Sequence, residues 1–305
     1  MNESPSADAG WFVDVDPDRA DLESAVAAIR EGETSTPREW PALAVEAGFV
    51  DDEPAYYDAL KNATTEATRA TVTEREAADD RQLVHAVRAM DDCDRTANEL
   101  AERLAEWGGS VDSESGTGVE YARTLVDRSG RNSTDTVPSP DFGPDERPIH
   151  SLAARVTDLA DEAEDLRRFV ERRTPVVAPN LATLAGPVLA ARLISLAGGL
   201  EPLAKKPSGT IQVLGAEDAL FAHLRGHAPS PKHGIIYVHD AVRGTHPDHR
   251  GSAARALAGK LAIAARVDHY SGEPRPDLEA ELNERIEAIQ ARTADADANG
   301  GDGDE

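Results

Sequence analysis

Two long segments of the chain repeat apolar residues at alternating spacings of three and four, which predicts long helices with a narrow apolar stripe. In the first segment the apolar positions are Leu83, Val87, Met90, Cys93, Ala97, Leu100, Leu104 and Trp107. In the second they are Ile149, Leu152, Val156, Leu159, Ala163, Leu166 and Val170. Either segment alone could be an amphipathic helix folded on an ordinary core. Together, flanking a loop, they favour an antiparallel coiled-coil hairpin.

This hairpin divides the chain into four predicted parts. Residues 1–75 read as a small α/β domain, with a strand at Trp11–Val15 and a helix at Ala20–Arg30. Residues 78–173 form the hairpin, whose Gly-, Ser-, Asp- and Pro-rich segment 108–147 predicts a flexible tip, within which residues 121–128 could form a short helix. Residues 174–292 are all helical, and 293–305 are a disordered acidic tail. The predicted fold class is therefore mainly α with a small α/β N-terminal domain.

Four helical segments are predicted within residues 174–292. Leu181 to Leu196 is a buried helix interrupted near Pro187, and Ser208 to His223 is a pair of helices separated by a break at Gly215. The other two are Arg250–Tyr270, closely packed through alanines, and the charged helix Asp277–Arg292.

The charge balance of this same region is opposite to that of the rest of the chain. Residues 180–270 hold ten Lys/Arg against six Asp/Glu, although the whole chain carries 32 against 57 and a net charge of −25. Seven of the nine histidines also lie there. A locally basic surface in an otherwise acidic protein indicates a polyanionic partner.

The overall acidity does not exclude a nucleic-acid partner. Only five of the basic residues are lysine, and this composition is typical of a halophile, in whose cytoplasm the Debye length falls to ~3 Å. The single cysteine, Cys93, excludes a disulfide framework and a thiolate metal cluster. Since there is neither a long apolar stretch nor a signal pattern at Met1–Gly10, we expect a soluble, cytoplasmic protein with no membrane partner.

One constellation suggests a different class of function. His239, Asp240, His246 and His249 could hold the metal of a hydrolase, but Pro247 indicates a loop and no third ligand stands at a recognised spacing. A further alternative is a structural coiled-coil protein that binds no RNA. The sequence has no phosphate-binding loop, nucleophile elbow or dinucleotide motif.

Four sequence blocks in the C-terminal half resemble the Nop domain. They run from Ala178 to Leu200, Lys205 to Leu224, Pro231 to Tyr237 and Arg250 to Asp268. The hairpin is similar to that family in placement, and residues 1–75 match it only loosely. Two basic residues usual in the family are replaced here by Asp218 and Ala222.

The resemblance implies an archaeal scaffold of box C/D small ribonucleoproteins, acting in RNA-guided 2′-O-methylation of rRNA or tRNA and in rRNA processing. It implies a box C/D guide RNA, a kink-turn-binding protein of ribosomal type and the methyltransferase fibrillarin as partners. Fibrillarin would bind residues 1–75, the hairpin would form a homodimer, and residues 174–292 would bind RNA and protein. The chain itself would be no enzyme and would need neither a cofactor nor a metal.

Candidate site residues follow from the resemblance together with the local charge. On a helical wheel Arg255 and Arg266 share one solvent face, whereas Lys260 lies on the apolar arc, where it must snorkel to solvent or meet a partner. The expected RNA contacts are Lys205, Gln212, Lys232, His233, Arg250, Arg255 and Arg266. The expected junction of RNA and protein partner is Gly215, Ala216, Glu217 and His223. The residues expected to form the dimer are Leu83, Val87, Leu100, Leu104, Leu152, Val156, Leu159 and Leu166.

Overall fold

The chain forms two units of unequal size, Met1–Ala78 and Asp79–Glu305. Their structure, a computed structural model, describes residues 10–13, 15, 22–32, 38–111, 115–128 and 146–299. The described residues contain helices, turns and loops, and no strand is found among them.

Three helices and a set of aromatic rings build the first unit. The helices are α1 (Leu22–Glu31), α2 (Trp40–Glu46) and α3 (Glu53–Ala77). Phe12 stacks on Phe49 with ring centroids 5.5 Å apart, and both contact a cluster that includes the buried Tyr56. Asp52 begins α3 by accepting a hydrogen bond from the main-chain nitrogen of Ala55 at 2.8 Å, which satisfies a free amide of the first turn.

The strand predicted at Trp11–Val15 is not formed by the described residues of that segment. Residues 11–13 make a turn, in which the amide of Val13 donates to the carbonyl of Gly10 at 3.1 Å. Trp11 and Phe12 are adjacent in sequence yet both pack in the aromatic cluster, so they do not alternate between two faces. The α/β character expected for residues 1–75 is therefore absent from the part of that segment which the structure describes.

The second unit starts with a helical hairpin. Its helices are α4 (Asp79–Val111), α5 (Gly118–Arg128) and α6 (Glu146–Val177). The beginning of α4, at Leu83, lies in the same core cluster as Val170 near the end of α6, whereas Leu104 lies with Ile149. Helices α4 and α6 are therefore antiparallel, as the spacing predicts.

The predicted flexible tip, 108–147, contains an ordered helix. Helix α5 buries Tyr121, Ala122, Leu125 and Val126 in a cluster that also holds Leu104 and Ile149. It packs against both long helices, so this end of the hairpin is a bundle of three helices. Residues 112–114 and 129–145 of the predicted tip lie outside the described residues.

The residues predicted to form the dimer lie on the seam within one chain. Leu83, Leu104 and Val156 are fully buried there, and Val87 is 1% exposed. Leu100, Leu152 and Leu166 are half-buried against the same clusters, and Leu159 is half-buried on α6. A single antiparallel hairpin thus already uses the apolar stripes that the expected contact with a second copy would need.

Eight further α-helices continue the second unit. They are α7 (Pro179–Ala185), α8 (Pro187–Ala197), α9 (Leu200–Lys205), α10 (Ser208–Val213), α11 (Glu217–Leu224), α12 (Asp240–Arg243), α13 (Arg250–Tyr270) and α14 (Asp277–Asn299), with a 3₁₀ helix at Ile235–Val238. Helix α13 is central and packs against α7, α9, α10, α12 and α14. Its alanines let these neighbours approach closely.

The bend predicted near Pro187 separates α7 from α8, whose axes differ by 117°. Gly186 makes the turn at a φ of 75°, which few other residues adopt. No single helix of the described residues is long and apolar enough to cross a membrane; only this bent pair, taken together, meets that test.

Helix α4 is bonded to the helices that follow the hairpin. Asp80 accepts from the first amide of α9, that of Leu200, at 2.9 Å. Asp91 accepts a hydrogen bond from the Nε of Arg192 on α8 at 3.1 Å, and Arg88 donates to the hydroxyl of Ser195 at 3.0 Å. With Leu83, Val84, Val87 and Met90 in the main core, the first three turns of α4 belong to that core.

Helix α14 extends beyond its predicted end at Arg292. It continues to Asn299 through Ala294, Ala296 and Ala298, residues of high helix propensity, and reaches the first glycine at Gly300. The disordered tail predicted from residue 293 is therefore wrong for 293–299, and 300–305 lie outside the described residues.

Candidate nucleic-acid interface

One side of α13 faces solvent. Arg255 and Arg266 are both exposed on it, as the helical wheel predicts, together with Tyr270, which is 70% exposed. A helix rises 1.5 Å per residue, so the two arginines stand about 16 Å apart along its axis. Lys260, on the opposite arc, forms an ion pair with Glu281 of α14.

Several basic side chains on this side of the unit lack the ion pairs that many arginines of the hairpin form. Along the hairpin, arginines such as Arg95, Arg103 and Arg155 are in ion pairs with carboxylates one turn away. In contrast, six of the ten basic residues between positions 180 and 270 have no ion pair to a carboxylate in the described part of the chain. They are Lys206, Arg225, Lys232, Arg250, Arg255 and Arg266.

Five of these six define a basic surface along α13: Lys206, Lys232, Arg250, Arg255 and Arg266. A Cβ placed on Gly251 would lie 3.8 Å from three side-chain carbons of Lys232, so that lysine lies along the first turn of α13. Arg255 is one turn further on the same side, four residues after Gly251. Positive charges without local neutralisation suit contact with phosphates.

Arg250 and Arg266 are held by main-chain carbonyls. The Nε of Arg250 donates to the carbonyl of Thr245 at 3.0 Å, and its guanidinium lies 5.5 Å from the centre of the Tyr237 ring. Arg266 donates from Nε to the carbonyl of Ala204 at 3.2 Å, at the end of α9. Such bonds fix the direction of each guanidinium without cancelling its charge. Arg255 makes no bond of this kind to a described residue.

Residues 231–234, here called the Lys232 loop, carry two of the predicted RNA contacts, Lys232 and His233. Lys232 is exposed, and His233 stacks on Tyr237 with ring centroids 4.6 Å apart. Burial, and then the charges of Arg250 and Lys232, lower the pKa of His233 below its ordinary value. The lowered pKa favours the neutral form of the ring that stacks on Tyr237.

Two of the predicted RNA contacts are engaged with other groups of the protein. Lys205 pairs with Glu201 one turn earlier at 2.6 Å, and this carboxylate raises the pKa of the lysine. The side-chain amide of Gln212 donates to the carbonyl of Lys232 at 2.7 Å. Lys205 stays charged, but together with Glu201 it presents little net charge to a partner, and Gln212 holds the Lys232 loop.

The predicted junction lies at the break between α10 and α11. Gly215 turns with a φ of 81°, and its amide donates to the carboxylate of Glu217 at 2.9 Å. His223 bonds through Nδ1 to the carbonyl of Ala228 at 3.0 Å, while Ala216 is the N-cap of α11. Helix α11, all of whose residues are described, buries none of them, and Phe221 and Leu224 are 56% and 71% exposed.

The histidines proposed as metal ligands do not converge. His239 uses both ring nitrogens within the protein: Nε2 lies 2.9 Å from the carbonyl of Leu184, and Nδ1 accepts from the amide of Ala241 at 3.1 Å. His246 and His249 have ring centroids 6.5 Å apart. Among the described residues no group of three or more His, Cys, Asp or Glu could hold a metal ion.

Neither Tyr237 nor Lys206 is among the residues that the sequence predicts to contact RNA. Tyr237 stands four residues after His233 and thirteen before Arg250, a separation that only the fold closes. Lys206 follows Lys205 directly, and its carbonyl accepts from Arg266 at 3.3 Å. The available signal for Lys206 was the lack of an acidic residue one helical turn away, whereas Lys205 has Glu201.

Comparison with known proteins gives related sequences over most of the chain. The family model described as "Nop: snoRNA binding domain, fibrillarin" matches residues 143–290. An uncharacterized NOP5 family protein of Methanocaldococcus jannaschii is 36% identical over 273 residues, which cover 81% of this chain and 66% of that protein. Nucleolar protein 58 of Scheffersomyces stipitis is 32% identical over 250 residues, covering 70% of this chain and 48% of its own length.

Among solved structures, a chain in the crystal structure of a fibrillarin/Nop5p complex is similar at a TM-score of 0.48 and 24% identity. The similarity covers 88% of this chain and 92% of that one. The present chain thus spans between about half and two thirds of the length of these two curated relatives.

Proposed function

Because the chain belongs to the Nop family, we propose that it is the scaffold of a box C/D ribonucleoprotein, which binds a guide RNA and recruits fibrillarin for RNA-guided 2′-O-methylation. The matched family model is described by snoRNA binding, and its span of 143–290 contains the whole basic surface. In this proposal the scaffold is not an enzyme, acts in the cytoplasm of an archaeal cell, and leaves the chemistry to fibrillarin.

The observation that carries the proposal is the unneutralised charge along α13. Arg255 is exposed and without a carboxylate among the described residues, in a chain whose net charge is −25. In an acidic protein a cation that stands apart from every carboxylate is available to an anionic partner. Contacts from one helix face and one loop suit the backbone of a structured RNA better than the splayed bases of a single strand.

A kink-turn-binding protein is the second proposed partner, and α11 is its proposed contact. A surface helix of a globular protein normally buries an apolar stripe. The exposed Phe221 and Leu224 on α11 instead offer an apolar patch beside the basic surface, next to the break at Gly215. Asp218 and Ala222 on the same helix carry no positive charge, so we assign α11 to protein contact rather than to phosphate.

Fibrillarin is proposed to bind the first unit. Between α2 and α3 lies a cavity of about 500 Å³ with the acidic residues Glu39, Glu46, Asp52 and Glu53 around the exposed ring of Tyr57. Apolar surface rimmed by charge is typical of a protein interface. The family model that includes fibrillarin in its description supports the same partner.

A homodimer through the hairpin is also proposed, with a different set of residues from the seam. Trp107 and Val111 on α4 are 43% and 52% exposed, and Phe169 and Val176 on α6 are 38% and 65% exposed. These side chains project from the hairpin while the seam stays closed. Trp107→Glu should convert a dimer to a monomer in light scattering, and an unchanged mass would exclude this contact.

The test of the RNA role reverses one charge at a time. Arg255→Glu should abolish binding of a synthetic RNA carrying box C and box D elements, measured by gel shift with the kink-turn-binding protein present and with KCl at the host's level. Arg285→Glu makes the same charge change at an exposed position of α14, away from the basic surface, and should leave binding unchanged. Undiminished binding by Arg255→Glu would show that the RNA does not contact this surface, whereas failure of the unaltered chain to bind the RNA would favour the RNA-free coiled-coil protein.

A further inference from the structure

The Lys232 loop and the residue that follows it, Ile235, are tied to the end of α10 by three hydrogen bonds. Gln212 donates from Nε2 to the carbonyl of Lys232 at 2.7 Å and accepts, at its own carbonyl, from the amide of Gly234 at 2.8 Å. The amide of Ile235 donates to the carbonyl of Leu214 at 2.7 Å. Two of the three bonds use Gln212, one through its side chain and one through its main chain.

Gly234 brings the two segments into contact at a distance that no other residue permits. A Cβ at this position would lie 1.9 Å from the carbonyl oxygen of Leu214 and 2.6 Å from the carbonyl carbon of Val213. Both neighbours are main-chain atoms, which cannot move aside as a flexible side chain could. The path of the Lys232 loop is therefore set by backbone packing as well as by hydrogen bonds.

The other side of the loop rests on rings and on α13. His233 stacks on Tyr237, and the guanidinium of Arg250 approaches the same ring. Gly251 leaves room for the side chain of Lys232 against the first turn of α13. The loop is thus held at the main chain by Gln212 and at the side chains by Tyr237 and Gly251, while the Lys232 ammonium remains exposed.

We infer that Gln212 is a positioning residue, which sets Lys232 for RNA contact through the Lys232 carbonyl and does not itself bind RNA. Its side-chain NH₂ group is engaged at 2.7 Å, a good hydrogen-bond length. The loop is consequently formed before RNA arrives, which avoids the ordering cost that a free loop would add to binding. This inference rests on the proposed RNA-binding function.

A double-mutant cycle tests whether Gln212 acts through Lys232. The full-length chain would carry Lys232→Ala, Gln212→Met or both, with binding measured on the box C/D RNA and its kink-turn-binding protein. Each single change should weaken binding about tenfold, and the double variant should be no weaker than Lys232→Ala alone within about twofold. A double variant weakened by the product of the two single effects would overturn the inference, because Gln212 would then contact RNA independently.

A measurement without RNA gives a second readout. Gln212→Met should speed the hydrogen exchange of the amides of Gly234 and Ile235 in the free protein, since their acceptors lie on the segment that Gln212 anchors. Gln290→Met provides a matched control, because Gln290 donates to the hydroxyl of Thr245 rather than to the loop. Unchanged exchange at both loop amides would overturn the inference.

Failure of the inference can be separated from failure of the proposed function. Arg255→Ala removes a cation that depends on neither Gln212 nor the loop. If Arg255→Ala weakens binding while Gln212→Met does not, the RNA surface stands and the positioning role is wrong. If neither Arg255→Ala nor Lys232→Ala weakens binding, the proposed RNA surface and the inference are both wrong, and if the unaltered chain does not bind the RNA at all, the proposed function is wrong.

Discussion

Asp268 of α13 accepts two hydrogen bonds from Asn180 of α7, one from its main-chain nitrogen at 3.0 Å and one from its side-chain nitrogen at 2.6 Å. A third comes from the amide of Leu181 at 2.9 Å. Burial raises the pKa of this carboxyl, and the three bonds act in the opposite direction. These bonds join the start of α7 to the end of α13. Asn180 also accepts a hydrogen bond from the amide of Arg275 at 2.6 Å, which ties the segment after α13 to the same place.

Asp268→Asn should therefore destabilise the second unit. An asparagine keeps the shape but replaces one acceptor oxygen by an NH₂ group that faces existing donors, at a cost of about 3 kcal/mol. The denaturant midpoint of the full chain should fall, with the first unit unaffected. Asp277→Asn, an exposed change at the start of α14, should have little effect; a midpoint that is equal for both variants would contradict the role of Asp268.

Arg255→Ala and Arg266→Ala should differ in stability although both remove one exposed charge. Arg266 satisfies carbonyls at the end of α9, at Ala204 and Lys206, whereas Arg255 bonds to no described residue. We expect Arg266→Ala to lower the free energy of unfolding by about 1 kcal/mol and Arg255→Ala to change it little. Equal midpoints in thermal unfolding followed by circular dichroism would contradict this distinction.

The salt dependence of RNA binding should report the same surface. Removing one cation that binds a phosphate reduces the slope of log K against log salt by about 1. Arg255→Ala should show this reduction, whereas Lys205→Ala, whose ammonium is paired with Glu201, should change the slope less. Titrations of the RNA complex at several KCl concentrations measure both slopes, and a larger change for Lys205 would reverse the assignment.

His233 should make the stability of the second unit depend on pH. Its pKa in the folded protein is below the ordinary value of 6.5, so the unfolded chain takes up a proton first as the pH falls. The contribution is fully present above pH 6.5 and is lost as the pH falls through the folded-state pKa. His233→Gln should show a smaller loss of stability between pH 7 and 5, measured by denaturant unfolding. His227→Gln, an exposed control, should retain the full loss.

A fragment limited to residues 143–290 should not fold as the whole unit does. Leu83, Val84, Val87 and Met90 of α4 are buried in the core that this span would have to close, and Asp80 and Asp91 bond to its helices. The fragment should melt without a cooperative transition and bind a hydrophobic dye. Residues 79–299 should melt cooperatively, and a cooperative transition of the shorter fragment would show that α4 is dispensable.

The helical part of the fold is predictable because its apolar repeats extend over long segments and because Gly and Pro residues mark the ends of several helices. The boundaries of α13 fall at Arg250 and Tyr270 as expected, and the break at Gly215 separates α10 from α11. The strand predicted at Trp11–Val15 is not formed by the described residues of that segment, because alternation over five residues is too short to outweigh aromatic packing. The dimer contacts stay a prediction for another reason: a heptad stripe shows that a helix pairs, not whether its partner lies in the same chain.

The candidate site was predictable in its charges and not in their partners. Residue type and a helical wheel place Arg255 and Arg266 on one exposed face, and the structure agrees. The role of Gln212 depends on its contact with Lys232, which is remote in sequence. The role of Tyr237 depends on its contact with Arg250 and on the stack with His233, which only the three-dimensional structure shows. Local sequence holds no signal for such contacts.

Because Gly234 lies so close to the carbonyl of Leu214, the backbone path of the Lys232 loop is constrained much more tightly than the side chain that the loop presents. The glycine cannot be exchanged without moving main chain, so the route of the loop is locked. Lys232, two positions earlier, projects into solvent and can be exchanged without disturbing that route. Single substitutions at position 232 can therefore change the charge that this surface presents while the underlying backbone stays the same.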